Sequence, residues 1–498
     1  MSKKKKQISK SKIEYWEQVV IPSHVKDVWE ELASTRDIEV FAVGGAVRDL
    51  FKQQGKKKKV MPTDWDLTTN ATPSRIREIF GSKNVIQEEE NKKFGVTFVI
   101  SRGRTVEIAT FREVITEGKK SKVSFSQSYV TDSKRRDFTI NTLYLDLNGR
   151  IHDPTGLGVS HINKDRLEFV GDPFDRITDD PLRLLRGLRF MAMGYKSTGS
   201  TDRALLNNPK HIRLFRQKVS KNRIRDELLK MMSLDLKKTM STLVESGMID
   251  IVLPEWKAMI NYNQKSRYHK YKLDRHSVET AIDIQKRFKK NKLDLDREAR
   301  ELILIGLLHD IAKPNCQTID DDGEAHYHAN PPKGVQQGHD KIGSQMIAKI
   351  FKRLKFSNKS TKRARMLVDN HMALHQQHTT KVFLHLRDVL TTYKGGKTIY
   401  DFTRDQLWLY KGDLYASRRE KSYLSDDYKF PTVLNAMKSS EIMKLLESTF
   451  GNGYDKKLIG KVQQRIREFY YDYPNIPTFE LRDKTKDYIR SLKENEST

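Results

Sequence analysis

The chain has 498 residues, with 93 Lys plus Arg against 65 Asp plus Glu, a formal charge of +28 and 37% hydrophobic residues. No apolar run approaches the roughly 18–20 residues of a membrane span, and the single cysteine, Cys316, excludes an internal disulfide and points to a reducing, cytoplasmic setting. The length suits about three domains, and a positive excess of this size calls for a polyanionic partner, most often nucleic acid.

Met1 to Lys12 is rich in Lys, Ser and Gln without an apolar core, so it reads as a basic arm and not a secretory signal. Ile38 to Val43 is a short apolar run ending at Gly44-Gly45, and Ala46 to Gln53 opens a helix. Gly55 to Lys59 is a basic loop. Asp64 to Thr68 predicts a strand, and Pro73 to Phe80 a helix with Thr72 near its N-cap. Phe94 to Ile100 and Thr105 to Phe111 flank Arg102-Gly103-Arg104 as a hairpin. Thr116 to Ser128, polar and rich in Lys, Ser and Gly, predicts a mobile loop. Leu143 to Leu147 and Arg150 to His152 flank Asn148-Gly149 as a second hairpin.

From about Asp179 the pattern turns helical. Leu182, Leu185, Leu188, Arg189 and Met193 fall at helical spacing, as do Ile224, Leu228, Leu229 and Met232. Gly247 and Pro254 mark boundaries, and Asn261 to Lys272 reads as a polar, basic linker. A second helical region runs from Arg275 to about Tyr428, and Pro431 to Thr498 is a helical tail. The fold class is α+β: a mixed α/β head, then an all-helical neck and body, then a second all-helical domain. The divisions are 1–35, 36–165, 166–262, 263–430 and 431–498.

Two constellations carry chemistry. In the first, Asp64-Trp65-Asp66 lies on a predicted strand, where alternation turns both carboxylates to one face. Paired carboxylates suit a hard cation such as Mg²⁺, and two such ions support transfer to an attacking hydroxyl. A lone Asp-x-Asp is usually a solvated pair. Upstream, however, Gly44-Gly45-Ala46-Val47-Arg48-Asp49 joins a strand to a helix, where glycines let backbone N–H groups approach a phosphate and Arg48 can take an oxygen. Glu107 is a candidate third carboxylate, or equally a paired strand residue. In the second, Asp274-Arg275-His276, His309-Asp310, Gly338-His339-Asp340, His371-Met372 and Gly412-Asp413 form an ordered His/Asp series. Imidazole with carboxylate suits a transition metal (Mn²⁺, Ni²⁺, Co²⁺ or Fe²⁺), with Mg²⁺ as the alternative.

Residues 41–66 resemble the head of class II CCA-adding tRNA nucleotidyltransferases and bacterial poly(A) polymerases. Val106 to Arg112 resembles the strand that follows in that family, and Lys134 to Asn141 its Arg-Arg-Asp motif. Asp179 to Phe190 resembles the neck helix, and Ser220 to Leu228 the motif that closes the neck. The resemblance implies that Asp64 and Asp66 are catalytic and hold Mg²⁺. It implies that Gly44, Gly45, Arg48, Arg135, Arg136, Arg186 and Arg189 help bind the nucleotide. It implies that Asp180 and Arg183 act as a protein template selecting CTP or ATP. The sequence departs from the family at Asp179, where Glu is usual, and at Thr155-Gly156-Leu157-Gly158, which interrupts a Gly-Gly pair.

The His/Asp series resembles the HD phosphohydrolase superfamily, which implies His276, His309, Asp310, His339, His371 and Asp413 as metal ligands and gives Lys313 a phosphate to steady. An inactive helical scaffold is the other reading. The expected whole is a nucleotidyltransferase head, a helical neck and body, and an HD domain. It would add CCA to tRNA from CTP and ATP, with a phosphohydrolase acting on 2′,3′-cyclic phosphates, 2′-nucleotides or phosphatase substrates. The alternatives are a poly(A) polymerase with the same head, or an HD phosphohydrolase whose head only binds. The basic segments Lys56–Lys59, Lys119–Lys122, Lys218–Arg225, Arg287–Lys292 and Arg353–Arg365 are solvated faces or RNA tracks, and Phe469, Tyr470, Tyr471 and Tyr473 are core residues or base-stacking platforms.

Overall fold

The computed structural model describes residues 21–53, 62, 64–86, 95–117, 120–266, 268–327, 338–372, 375, 399–417, 439–451, 454, 458–459, 462, 465–466, 469 and 478–496. Met1–Lys12, Gly55–Lys59, Tyr470, Tyr471 and Tyr473 lie outside them. Two compact units emerge: Met1–Val219 with Ser241–Met248, and Ser220–Met240 with Ile249–Thr498. Among the described residues no helix is long and apolar enough to cross a membrane.

The first unit is built on strands β1 (Val40–Val43), β2 (Asp66–Thr69), β3 (Val85–Ile86), β4 (Val96–Ser101), β5 (Arg104–Thr110), β8 (Tyr144–Leu145) and β9 (Ile151–His152), in the order β3-β4-β5-β2-β1-β8-β9. All four residues of β1 are buried, as its apolar run dictates for a central strand. It pairs antiparallel with β2 and β8, while β2 and β5 run parallel. The registers align Tyr144 with Val43, Val43 with Asp66, and Asp66 with Glu107, so these four form one rung across the sheet.

Helix Ser23–Ser34 buries Val25, Val28, Trp29 and Leu32 at helical spacing, with Trp29 and Trp65 ring centroids 6.4 Å apart. The packed head therefore reaches back into the 1–35 division, beyond the basic arm expected at Met1–Lys12. Helix Pro73–Phe80 starts where its cap requires: Thr72 accepts from the Arg75 N–H, and Pro73 needs no partner there.

The expected loop at Thr116 to Ser128 is mostly strand. β6 (Arg112–Glu117) and β7 (Lys120–Phe125) pair antiparallel from Arg112 opposite Phe125 to Glu117 opposite Lys120. A ribbon of this kind is held by its ladder, so its Lys and Ser content does not disqualify it. Helices Pro173–Asp179, Arg183–Ala192, Gly199–Leu205 and Pro209–Lys218 complete the unit.

The second unit is helical. Leu273–Lys290 packs between Arg297–Leu308 and Ile399–Ala416, with His339–Arg353 and Asn358–Asp369 alongside. Leu302 to Leu308 is wholly buried, as its unbroken apolar run requires. Gly412 sits at a close approach, because a Cβ there would lie 2.8 Å from the Thr280 carbonyl oxygen. The tail helices Ser439–Phe450 and Thr478–Glu496 have a core of their own that includes Ile442, Leu446, Leu481 and Ile489. Phe469 packs against that core beside Tyr488, which favours its structural role.

Candidate functional site

At the end of the central strand the chain leaves β1 through Gly44, whose φ of 76° and ψ of −135° belong to glycine. A Cβ at Gly44 would stand 3.4 Å from Asp66 Oδ2, so bare backbone backs directly onto that carboxylate. Asp66 is half-buried and opens β2. Asp64 is exposed and precedes the strand, which is shorter than expected at this end. Strand pairing therefore aligns Asp66 with the exposed Glu107, while Asp64 lies two residues before the ladder begins. Among the described residues, groups of three or more metal-ligating atoms within 4.8 Å of one another occur in the second unit and not at Asp64, Asp66 and Glu107.

Arg48 is buried. Its Nε and Nη2 reach Asp49 Oδ1 at 2.8 and 2.7 Å, and Nη1 donates to Asn141 Oδ1 at 2.9 Å. It braces the glycine turn against the turn Thr139–Asn141, and protein partners engage these donors. Arg136 Nε donates to Asp132 Oδ2 at 3.1 Å and to the Tyr144 hydroxyl at 2.8 Å, and Arg135 Nε donates to Asp132 Oδ1 at 3.0 Å. Burial would raise the Asp132 carboxyl, but Arg136 and Arg135 outweigh it and hold it at about 2.

The neck helix begins at Arg183, not at Asp179. Pro181 forces the preceding Asp180 out of the helical region, to φ −146° and ψ 98°, and Asp180 Oδ1 instead accepts the Leu182 N–H at 3.2 Å. Asp180 thus lies between two helices and beside Arg183. Arg183 donates to the carbonyls of Arg176 at 2.9 Å and Arg135 at 2.7 Å. Arg186 Nε bonds Asp137 Oδ2 at 2.7 Å, and Arg189 and Arg48 lie over the Phe190 ring at 4.5 and 5.0 Å. Burial pushes Asp137 up, but Arg186, Asn141 and Arg183 hold it far below the usual carboxylate range. The Arg-Arg-Asp motif and the neck helix are one stitched assembly.

The second unit brings all six expected ligands together. Asp310 Oδ2 lies 3.3 Å from His276 Nε2 and 3.2 Å from His309 Nε2, and Asp413 Oδ1 lies 3.0 and 3.8 Å from the same two atoms. Asp310 Oδ1 faces the other way, 3.4 Å from His339 Nε2 and 3.5 Å from His371 Nε2. One carboxylate therefore bridges two ligand groups, all of them buried.

Every ring faces its carboxylate with Nε2 because Nδ1 is committed to a backbone carbonyl: His276 to Ala416, His309 to Gly306, His371 to Val368, and His339 to Tyr327. These bonds assign each neutral ring an Nδ1–H and an Nε2 lone pair. The Nε2 atoms of His339 and His371 then oppose each other at 3.1 Å, and Nε2 of His276 and Nε2 of His309 are buried without a directed hydrogen bond. Converging lone pairs in a buried site need cations, so the donor set fits two metal ions. Without them, burial lowers His309 but Asp310 and Asp413 lift it to about 10, whereas burial takes His339 down to about 3.

Residues 40–168 match the poly A polymerase head domain, residues 215–260 the probable RNA and SrmB-binding site of polymerase A, and residues 273–394 the HD domain. A CCA-adding enzyme of Lactobacillus helveticus is 34% identical over 200 residues, 39% of this chain and 46% of that enzyme. Poly(A) polymerase I of Salmonella typhi is 35% identical over 169 residues, 31% of this chain and 34% of that enzyme. The chain thus spans less than half the length of these curated relatives. The solved structure of Bacillus stearothermophilus CCA-adding enzyme in complex with CTP aligns at 18% identity and a TM-score of 0.43, over 96% of this chain and 100% of that one.

Lys313, expected to steady a phosphate, draws in Gln264 and His269, which together with His375 carry no mark in the sequence analysis. Lys313 Nζ lies 2.6 Å from Asp310 Oδ2, 3.0 Å from Gln264 Oε1 and 2.8 Å from His269 Nε2. Gln264 and His269 come from the segment expected to be a linker. His375, four residues after His371, sits 2.9 Å from Asp413 Oδ2. A cavity of about 280 Å³ opens beside the HD ligands, lined by His269, Lys313, Tyr327, His339, His375 and Asp413 among others. The i to i+4 spacing of His371 and His375 was a usable signal, whereas nothing local marks Gln264.

Proposed function

We propose that this chain adds C, C and A to tRNA 3′ ends from CTP and ATP without a nucleic-acid template. The observation that carries the reading is the rung Tyr144–Val43–Asp66–Glu107 with the Gly44 turn set against Asp66. It supplies carboxylates beside exposed backbone, in a head domain shared with CCA-adding relatives. Asp64 and Asp66, with Glu107 as a third candidate, would hold Mg²⁺, which supplies charge neutralisation at the reacting phosphate and activation of the attacking hydroxyl. Gly44 and Gly45 let the triphosphate approach the backbone. Arg48 keeps that turn in place, and Arg135 and Arg136 present positive charge nearby. Arg183 has five N–H donors and gives two to carbonyls, leaving donors beside Asp180 to read a base edge. Arg186 holds the neck helix to the motif below it, and Arg186 and Arg189 would help hold the nucleotide.

The HD site would serve as a separate metal-dependent phosphohydrolase. His276, His309, Asp310 and Asp413 would hold one ion, and Asp310, His339 and His371 a second; a bound divalent metal supplies a water of lowered pKa for attack on phosphorus. Lys313 and His269 stand in the cavity where a phosphate would rest.

The test uses tRNA transcripts ending before CCA, at C and at CC, with Mg²⁺ and with CTP and ATP singly and together. Products that stop at CCA support the reading. A long A tail indifferent to the starting end would make the protein a poly(A) polymerase, the reading that the Salmonella relative keeps in view. No extension from any transcript overturns the polymerase function.

A further inference from the structure

Around Asp132 the first unit holds more positive charge than its protein partners neutralise. The carboxylate is buried, and its bonds are taken. Oδ1 accepts from Arg135 Nε at 3.0 Å and from the Arg112 backbone N–H at 3.1 Å, while Oδ2 accepts from Arg136 Nε at 3.1 Å and from the Tyr144 hydroxyl at 2.8 Å. The Arg112 guanidinium is a third positive charge, and none of its own N–H groups bonds that carboxylate. Its Nε is buried and has no hydrogen-bond partner among the described residues. Burial and the repulsion of Arg135 and Arg136 pull Arg112 down to about 10 in spite of Asp132 and the more weakly acting Glu107. An unpaired buried donor on a like-charged neighbour is costly, so the protein keeps it at the expense of its own stability.

The position of the cluster says what would relieve that cost. Tyr144, which ties Arg136 to Asp132, stands on the same rung as Asp66 and Glu107, and paired residues on neighbouring strands project to one face of the sheet. The cluster therefore belongs to the face that carries the acidic site. A planar guanidinium with free N–H groups is matched by a phosphate, which accepts two parallel hydrogen bonds and brings the missing negative charge. We propose that Arg112, flanked by Arg135 and Arg136, is a seat for a substrate phosphate, contributed by the backbone of the RNA primer or by the polyphosphate tail of the nucleotide. The inference rests on the nucleotidyl-transfer reading only for the owner of that phosphate.

The experiment measures binding without catalysis. Full-length wild type, Arg112→Gln and Arg112→Lys are titrated with tripolyphosphate and with a tRNA transcript, with divalent metal chelated, and their melting temperatures are recorded free of ligand. Arg112→Gln is expected to weaken one of the two ligands by roughly tenfold or more, and Arg112→Lys by less. Loss of tripolyphosphate assigns the seat to the nucleotide tail. Loss of tRNA, with a log–log salt slope smaller by about one, assigns it to the primer. Ligand-free Arg112→Gln is expected to melt no lower than wild type, because it removes an unpaired charge. Unchanged affinity for both ligands overturns the proposal. So does a fall in melting temperature or a failure to fold in Arg112→Gln that Arg112→Lys restores without restoring binding, since Arg112 would then be structural. Retained, Arg112-dependent binding in a protein that extends no tRNA would sink the polymerase reading and leave the seat standing.

Discussion

Asp310 is where the HD chemistry is most exposed to a single change. Its two oxygens face two different ligand groups, Oδ2 toward His276 and His309 and Oδ1 toward His339 and His371. Asp310→Ala should therefore remove both metal ions, while His371→Ala should cost one; metal equivalents by plasma mass spectrometry on the purified variants decide it. His309 gives the pH dependence. In the metal-free protein its folded value, about 10, is above the ordinary 6.5, so the pairing of the protonated ring with Asp310 and Asp413 stabilises the fold fully below pH 6.5 and is lost as pH rises through about 10. A metal needs that ring neutral, so binding must expel its proton. Affinity for Mn²⁺ should then climb with pH, by roughly tenfold per unit from about pH 7 to about pH 9. Calorimetric titration across that range would show it, and a flat profile would mean that His309 is not a ligand.

The helix Ile399–Ala416 carries Asp413 to the site, and Gly412 sets how close it comes. A Cβ at Gly412 would press to 2.8 Å on the backbone oxygen of Thr280, which cannot swing aside as a side chain can. Replacing Gly by Ala in a helix gains about 1 kcal/mol of propensity, while forcing atoms into a packed contact costs about 1–3 kcal/mol. The clash wins at the upper part of that range, so Gly412→Ala should lower the melting temperature and weaken metal binding as Asp413 is pushed off His276; a variant that melts higher and binds metal normally would contradict it. Elements whose cause is local were legible in the sequence. Thr72 caps its helix, Asn148-Gly149 turns its hairpin, and the apolar run before Gly44 is the central strand. The gathering of the six His and Asp candidates was legible because ordered His and Asp residues advertise a donor set whatever the loops between them do. The misreadings have physical causes as well. Pro181 excludes Asp180 from the neck helix by a steric rule that the arginine spacing obscured. The β6–β7 ribbon is made by ladder bonds that its polar composition hides. Gln264 and His269 enter the HD site from a segment whose polarity resembles a linker, and only tertiary packing on Lys313 reveals their purpose.

At the scale of the whole chain, the two candidate chemistries draw on separate sets of atoms. Asp64, Asp66 and the Gly44 turn belong to the first unit, and every ligand from His276 to Asp413 belongs to the second. Each unit has a core of its own: Phe41, Val43, Phe111 and Tyr144 cluster in the first, and the buried run from Leu302 to Leu308 lies in the second. Among the described residues neither candidate set draws a donor from the other unit, so the activities should part cleanly. Asp64→Ala, at an exposed position that supports no core, should abolish tRNA extension and leave the HD unit with its metal and its hydrolysis of a small phosphate ester. Asp310→Ala should do the reverse. The charge of +28 is expected to matter for the polyanionic substrate and not for a small ester. A protein that neutralises six to ten phosphates loses about 10³–10⁵ in affinity between 50 and 200 mM salt, so extension at limiting tRNA should collapse over that range, whereas hydrolysis of a small ester, which engages one phosphate, should change little. Assays of both variants on both substrates, at the two salt concentrations, test this in one grid. Loss of hydrolysis in Asp64→Ala, or of extension in Asp310→Ala, would mean that the two units share a reaction and that the separation of their ligands is not a separation of function.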